Sequence, residues 1–508
     1  MSKDARLAPI RFGTDGWRAV IADEFTFANV ERVAQAYAAY VIQQFTHSRP
    51  RAEQNTLQNN SQNISQNNSQ STSIAPPLVI VGYDRRFLSA QFAERASEVL
   101  AGNHINMALF ETDVPTPLVS WCVREQRATG GIVITASHNP PSFNGFKIKA
   151  PWGGSATADT TSAVESLVDN RPPQRAGIPS ASSLHTEILA SSTASYRAHV
   201  ASYIDLARLR HMSARVIVDP MHGTGGRWVE SFLEGSALEV ETIRAERDAL
   251  FGGIAPEPID RNLDSLKRRV RETDALVGLA TDGDADRVGA VGDDGETMTM
   301  HQVVPLLLLH LARKRGMTGG VVRTFSQSIL TKRIADAHNF KVYDTPIGFK
   351  HIADLMLRED VLLGAEESGG IGVKGHIPER DGILNSLLLL EAIATAGKPP
   401  TEMVREMHRE FGEFYFGRRD LHIEVSHGQS LVSALASSPP TKFAGHSVCG
   451  IENLDGAKLL FDDESWLLFR QSGTEPVLRI YSEATSTAKM NALLESGAEL
   501  ARKAVVSG

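Results

Sequence analysis

A short β-branched or aliphatic run that ends in a Gly- or Asp-rich loop recurs along this chain, and that rhythm restricts the fold most. Val79-Ile80-Val81 leads into Gly82-Tyr83-Asp84, and Ile132-Val133-Ile134 into Thr135-Ala136-Ser137-His138. Val216-Ile217-Val218 leads into Asp219 and the loop His222-Gly223-Thr224-Gly225-Gly226, and the run 276–279 into Thr281-Asp282-Gly283-Asp284. Val321-Val322 precedes Arg323-Thr324, and Val361-Leu362-Leu363 precedes the segment 364–370. Strands followed by loops and helical stretches predict α/β units with mixed, largely parallel sheets. In such sheets ligands sit beyond the carboxyl ends of the strands, where this chain keeps its polar clusters. The C-terminal hundred residues differ: 421–425, 466–470 and 477–481 read as strands and 488–504 as a helix, which predicts a smaller α+β domain.

A chain of 508 residues has room for three or four such domains. Candidate boundaries are the Pro-rich stretch 171–179, the hairpin-like 292–295 and the segment after 397–400. Residues 53–74 are nearly all Gln, Asn and Ser, without periodic apolar positions, and read as a disordered insertion. The 52 basic side chains are outnumbered by 60 acidic ones, a formal charge of −8, which argues against nucleic acid and acidic membranes as partners. A local basic pocket for a small phosphorylated ligand remains compatible with that balance. Two cysteines, Cys122 and Cys449, supply neither a disulfide framework nor a zinc ribbon. The first ten residues lack the apolar stretch of a secretory signal, and the apolar run 303–311 is far below a membrane span, so a cytoplasmic enzyme is expected.

Asp282-Gly283-Asp284-Ala285-Asp286-Arg287 places three carboxylates at alternating positions just past a strand, where they can converge on one hard divalent cation such as magnesium. The spacing also matches the start of an EF-hand, but Arg287 stands where that turn needs Gly, and Asp293 where it needs Glu. A solvated acidic turn is the plain alternative. In Thr135-Ala136-Ser137-His138-Asn139-Pro140, with Lys147 downstream, Ser137 is a candidate nucleophile or phosphoryl carrier. The flanks are not those of an α/β-hydrolase elbow, and a turn or cap is the structural alternative. Arg470-Gln471-Ser472-Gly473-Thr474-Glu475-Pro476 joins a guanidinium, hydroxyls and a glycine in a form that suits a phosphate, or a simple turn. Glu366 and Ser368 in Gly364-Ala365-Glu366-Glu367-Ser368-Gly369-Gly370 suit sugar hydroxyls, or a capped helix start.

Taken in order after Phe12-Gly13-Thr14-Asp15-Gly16-Trp17-Arg18, these loops resemble those of the α-D-phosphohexomutase superfamily over nearly the whole chain. The resemblance implies four domains around a central cleft, three of them related α/β domains, here 1–190, 191–296, 297–410 and 411–508. It implies that Ser137 is a phosphoserine whose phosphate completes the ligands of an Mg2+ ion held by Asp282, Asp284 and Asp286. Arg18, His138 and Lys147 would line the phosphoserine, with His138 or Lys147 moving the proton, and Arg287 would reach the cleft beside the metal. Glu366 and Ser368 would read the sugar, and Arg470, Ser472, Gly473 and Thr474 would hold the phosphate that is not reacting.

The implied ligand is a small hexose phosphate, with glucose 1,6-bisphosphate as intermediate and activator and a monomer or homodimer as the assembly. Histidine usually ends the sugar loop in phosphomannomutase-like and glucosamine-type branches. This chain has Gly370 there, and Ala365 where glycine is usual. The Glu-Glu-Ser form resembles the glucose-phosphate branch, in which Thr345-Pro346-Ile347-Gly348-Phe349-Lys350 has a counterpart and makes Lys350 a further candidate. Asp381, in Gly375-His376-Ile377-Pro378-Glu379-Arg380-Asp381-Gly382, is expected to cap the next helix. The expected activity is a glucose phosphomutase with mannose phosphates as a second substrate class. The rivals on the same site are a phosphomannomutase, a hexose 1,6-bisphosphate synthase, a phosphatase and a silent sugar-phosphate binder.

Overall fold

The computed structural model describes residues 9–13, 15–47, 77–178, 183–472 and 476–506. The insertion at 53–74, Gly473 and Thr474 lie outside the described residues. The first sheet contains β1 (Trp17–Val20), β2 (Leu78–Tyr83), β3 (Asn106–Leu109), β4 (Gly130–Ile134) and β5 (Phe143–Lys149), ordered β1-β5-β4-β2-β3. The second contains β6 (Arg215–Asp219), β7 (Glu239–Thr242), β8 (Val277–Thr281), β9 (Val288–Val291) and β10 (Thr297–Met298), ordered β10-β9-β8-β6-β7. The third contains β11 (Gly320–Thr324), β12 (Val342–Thr345), β13 (Val361–Ala365) and β14 (Ile371–Val373), ordered β12-β11-β13-β14.

One unit is present in all three sheets. Its first strand (β2, β6 or β11) lies between the second and third, all parallel, and the fourth (β5, β9 or β14) pairs antiparallel with the third. The third strands, β4, β8 and β13, are buried along their whole length. Layers on both faces explain why they read as continuous apolar runs in place of an alternating pattern. One apolar cluster continues from Ile80 and Leu118 through Val216 and Leu279 to Val321 and Leu388, so the three α/β domains share a core.

The fourth domain is β-rich: β15 (Tyr415–His422), β16 (Lys442–Phe443), β17 (His446–Glu452), β18 (Ala457–Phe461), β19 (Trp466–Gln471) and β20 (Val477–Ala484) form an antiparallel sheet ordered β15-β20-β19-β18-β17-β16. It has its own core around Leu467, Phe469, Ile480 and Leu493. The stretch 421–425 is not a strand throughout: β15 ends at His422, and Val425 opens the helix Val425–Ser437. Alternating apolar residues at a strand end continued into a helix start, which periodicity over five residues does not separate. The C-terminal helix runs Thr487–Val506, enclosing the expected 488–504. The apolar run 303–311 is core: it falls in the buried helix Met300–Leu309 and the turn after it, and no described helix is long and apolar enough to cross a membrane.

Domains three and four meet at a seam built on Glu483. Its buried carboxylate accepts from Ser328 Oγ (2.5 Å), Ile329 N (2.8 Å) and Trp466 Nε1 (3.0 Å) and lies 3.0 Å from His301 Nδ1. Burial opposes the charge, but His301 and these donors outweigh it and hold the carboxyl near 2. A depressed carboxyl contributes stability above its ordinary value of about 4.5 and loses it as pH falls toward 2. Glu483→Gln is therefore expected to cost about 3 kcal/mol near neutrality. Urea denaturation of both proteins at pH 7 and pH 3 should show the difference shrinking at the lower pH.

Candidate active site

The chemistry-bearing loops of the first three domains occupy one equivalent position, the connection from the third parallel strand to its antiparallel neighbour. Residues 135–142 join β4 to β5, 282–287 join β8 to β9, and 366–370 join β13 to β14. Such tight reversals need left-handed backbone, and each loop has it, at Ser137 (φ 53°), Ala285 (φ 59°) and Gly369 (φ 95°). The loops touch directly. Ser137 Oγ donates to Asp282 Oδ2 at 2.7 Å, and Val288 N donates to Gly369 O at 3.1 Å. At Gly283 a Cβ would stand 2.5 Å from the Ser137 carbonyl oxygen, so glycine is what lets the first two loops close on each other.

Asp282, Asp284 and Asp286 are fully buried, and one oxygen from each lies within 4.8 Å of the other two. Burial, then Asp284 and Asp286, push the Asp282 carboxyl well above the usual carboxylate range. Burial also opposes ionisation of Asp284, but Lys147 and Thr116 outweigh it and hold that group low. Lys147 Nζ reaches Asp284 (2.8 Å), Asp286 (3.1 Å) and Asp15 (3.0 Å), which keep it protonated against its own burial. Thr116 Oγ1 donates to Asp284 at 2.7 Å. Asp284 Oδ1 and Asp286 Oδ1 remain buried without a hydrogen-bond partner. Two orphaned carboxylate oxygens facing a third carboxylate and a serine hydroxyl are the donor set of a hard cation, so the residues fit Mg2+.

The other expected residues fall into two groups. Arg18 Nη1 donates to Asn139 Oδ1 at 2.6 Å on the serine loop. His138 Nδ1 is 3.4 Å from Ser137 Oγ, and burial, then Arg287, Arg18 and Lys147, hold its ring well below the usual histidine range. Arg287 is buried and lies 3.8 Å from Glu257, while its backbone bridges Gly370. Glu366 is buried, its Oε2 has no hydrogen-bond partner, and burial lifts its carboxyl to about 7 against Arg380 and Arg287. Ser368 is half-buried on the same loop.

Lys350 and Arg470 sit apart from this cluster. Ile347 N and Arg470 Nε both donate to Asp455 Oδ2, at 2.8 and 2.9 Å, which joins the loop before Lys350 to the strand before buried Ser472. Among the described residues no hydrogen bond or ion pair links Lys350 to the serine and aspartate cluster. Asp381 caps the helix Gly382–Ala396 through Ile383 N and Leu384 N, as its position predicts.

Sequence reasoning missed Arg380 next to it. This guanidinium reaches Asp15 (2.6 Å), Asp286 (3.0 Å) and Glu366 (3.7 Å), one group from each of three domains. Its signal was a run of three charges, Glu379-Arg380-Asp381, directly before an apolar helix. Asp15 also received no role, although it accepts from Arg380 and Ser155 Oγ (2.9 Å).

Comparison with known proteins gives a consistent result. Residues 49–175, 194–295 and 299–411 match the descriptions "Phosphoglucomutase/phosphomannomutase, alpha/beta/alpha domain" I, II and III, and residues 438–500 match the C-terminal domain of the same group. A phosphoglucomutase/phosphomannomutase of Thermococcus kodakarensis is 30% identical over 84% of this chain and 91% of its own length. A phosphoglucosamine mutase of Erythrobacter litoralis is 28% identical over 82% and 86%. The crystal structure of a candidate phosphomannomutase from Thermus thermophilus superposes with a TM-score of 0.81 at 35% identity, covering 98% of this chain and all of that one.

The orphaned oxygens give a direct test of the cation site. Mg2+ at 100 times its dissociation constant is expected to stabilise the protein by about 2.7 kcal/mol. Thermal denaturation should register this as a raised midpoint that Asp284→Asn largely abolishes.

Proposed function

The chain belongs to the phosphoglucomutase/phosphomannomutase family, and from that premise we propose that it interconverts glucose 1-phosphate and glucose 6-phosphate through a phosphorylated Ser137. The observation that carries the reading is the Ser137 hydroxyl 2.7 Å from Asp282 inside a buried group of three carboxylates. In the first half-reaction the bond between Ser137 Oγ and phosphorus breaks and a bond forms from phosphorus to the free hydroxyl of the sugar. The proton of that hydroxyl passes to the His138 ring, which its surroundings keep neutral, while Lys147, held protonated by Asp15, Asp284 and Asp286, supplies positive charge. In the second half the resulting glucose 1,6-bisphosphate presents its other phosphate: the bond from that phosphorus to the sugar oxygen breaks, a bond to Ser137 Oγ forms, and the proton held by His138 goes back to the freed sugar oxygen.

Asp282, Asp284, Asp286 and Ser137 would hold Mg2+, whose charge offsets that of the carboxylates and the phosphoryl oxygens. Arg18 and Arg287 face the same loop and add fixed positive charge, and burial keeps water from the transferring group. Glu366 and Ser368 bind the sugar hydroxyls. Arg470 and Ser472, with Gly473 and Thr474, hold the phosphate at rest. Relatives carry mannose, glucose and glucosamine in their names, so the sugar assignment rests on the Glu366-Glu367-Ser368 form of the loop and on Gly370.

The decisive assay follows conversion of glucose 1-phosphate, mannose 1-phosphate and glucosamine 1-phosphate with Mg2+ and a trace of glucose 1,6-bisphosphate. Glucose 1-phosphate should turn over fastest, and Ser137→Ala should fall below about 10⁻⁴ of the wild-type rate. A faster aminosugar or mannose reaction would move the assignment within the family. Accumulating bisphosphate would favour the synthase, and free phosphate released at the turnover rate would favour hydrolysis.

Glu366 adds a pH signature. Its carboxyl is neutral below about 7 and charged above it, and the charged form is the better acceptor for sugar hydroxyls. KM for the sugar phosphate should fall about tenfold between pH 6 and pH 8 as the competent form is populated. In Glu366→Gln it should be higher and lose that dependence.

A further inference from the structure

The Arg86 side chain is fully buried, and its guanidinium makes five polar contacts. Nη2 donates to the carbonyls of Ser137 (2.6 Å) and Asn139 (2.7 Å), and Nη1 to those of Pro140 (2.8 Å) and Phe143 (3.1 Å). Nε faces Asp84 at 3.1 Å, the acid that also accepts from Thr135 Oγ1 at 2.6 Å. Three carbonyls of the loop and the first carbonyl of β5 thus converge on a single planar fork, a geometry that lysine cannot reproduce.

The open face of that fork is covered from the second domain. Phe251 is fully buried with its ring centroid 5.0 Å from Arg86 Cζ. It is presented by a turn of unusual backbone: Phe251, Gly252 and Gly253 are all left-handed, with φ of 51°, 67° and 81°. Asp248 holds the turn by accepting from Leu250 N and Gly252 N, each at 2.9 Å. A bulky residue seldom adopts this conformation, and here it places an aromatic face against a desolvated cation. On its other side the Ser137 carbonyl meets Gly283 of the aspartate loop, which has no room for a side chain.

We propose that Arg86 and Phe251 are a positioning pair: the second domain, through Phe251, fixes the guanidinium that sets the height of the Ser137 loop over the aspartates. The proposal rests on the reading of Ser137 as the phosphoryl carrier. Among the described residues neither side chain has a hydrogen bond or ion pair to Ser137 Oγ or to Asp282, Asp284 or Asp286. Their effect is on where Ser137 Oγ stands, and so on transfer and not on sugar binding.

Phe251→Leu removes the ring face while keeping a buried apolar side chain, and Arg86→Lys keeps the charge without the fork. In both, hydrogen exchange across 135–143 should be faster than in wild type while exchange across 366–370 is unchanged. Phosphorylation of Ser137 by glucose 1,6-bisphosphate, followed by intact mass in a quenched time course, should slow by about tenfold to a hundredfold. kcat should fall with it, and KM for glucose 1-phosphate should not change. Wild-type exchange across 135–143 in Phe251→Leu, or a raised KM at constant kcat, would overturn the proposal. If Arg86→Lys does not fold, Phe251→Leu decides alone. If wild type takes no phosphate from the bisphosphate, the mutase reading fails, and hydrogen exchange still decides whether the pair holds the loop.

Discussion

Balancing charge that has been taken out of water is the constraint on which this structure depends. Asp282, Asp284 and Asp286 are buried together on one loop of the second domain. Carboxylates so placed are costly unless cations and donors reach them. Within reach are Lys147 from the first domain and Arg380 from the third, with Asp15 completing the alternation of sign. None of the three domains could bury its own share unaided. The same ion pairs that make the site therefore hold the domains in register, which agrees with a core that runs unbroken through all three. Assembly and preorganisation of the site are one physical problem here.

The repeat explains how three loops arrive at one place. A loop between a parallel strand and its antiparallel neighbour is short, leaves from the carboxyl end of the sheet, and returns at once. It can carry side chains into a cleft without long, mobile excursions. Three copies facing one another deliver a serine, three aspartates and a glutamate from five- to eight-residue connections. The strand ends and their polar loops were legible in the sequence because each is local: an apolar run, then Gly, Asp or Ser. Asp381 was legible as a cap for the same reason.

What periodicity could not supply was the partner of each group across the chain. Arg380 sits beside a correctly read cap, but three of its four carboxylate neighbours come from other loops, the farthest 365 residues away. Arg86 follows a strand end that the sequence marked, yet its role depends on carbonyls some fifty residues on and a ring from another domain. A cation's meaning lies in its long-range contacts, and one sequence records only its type. The strand-to-helix change near Val425 was missed for the opposite reason, since five residues carry too little pattern to tell the two apart.

Gly370 shows how such contacts bear on the charge of its neighbours. A Cβ at this position would lie 2.5 Å from Arg380 Cδ and 2.9 Å from Glu366 Oε2. A histidine here, the form that the resemblance associates with mannose and glucosamine branches, would have to displace Arg380 from between Glu366 and Asp286. That would move a cation away from Glu366, where Arg380 opposes the upward push of burial on the carboxyl. A residue with no side chain thus conditions the charge of Glu366, whose protonation follows from packing around Arg380 as much as from its own burial.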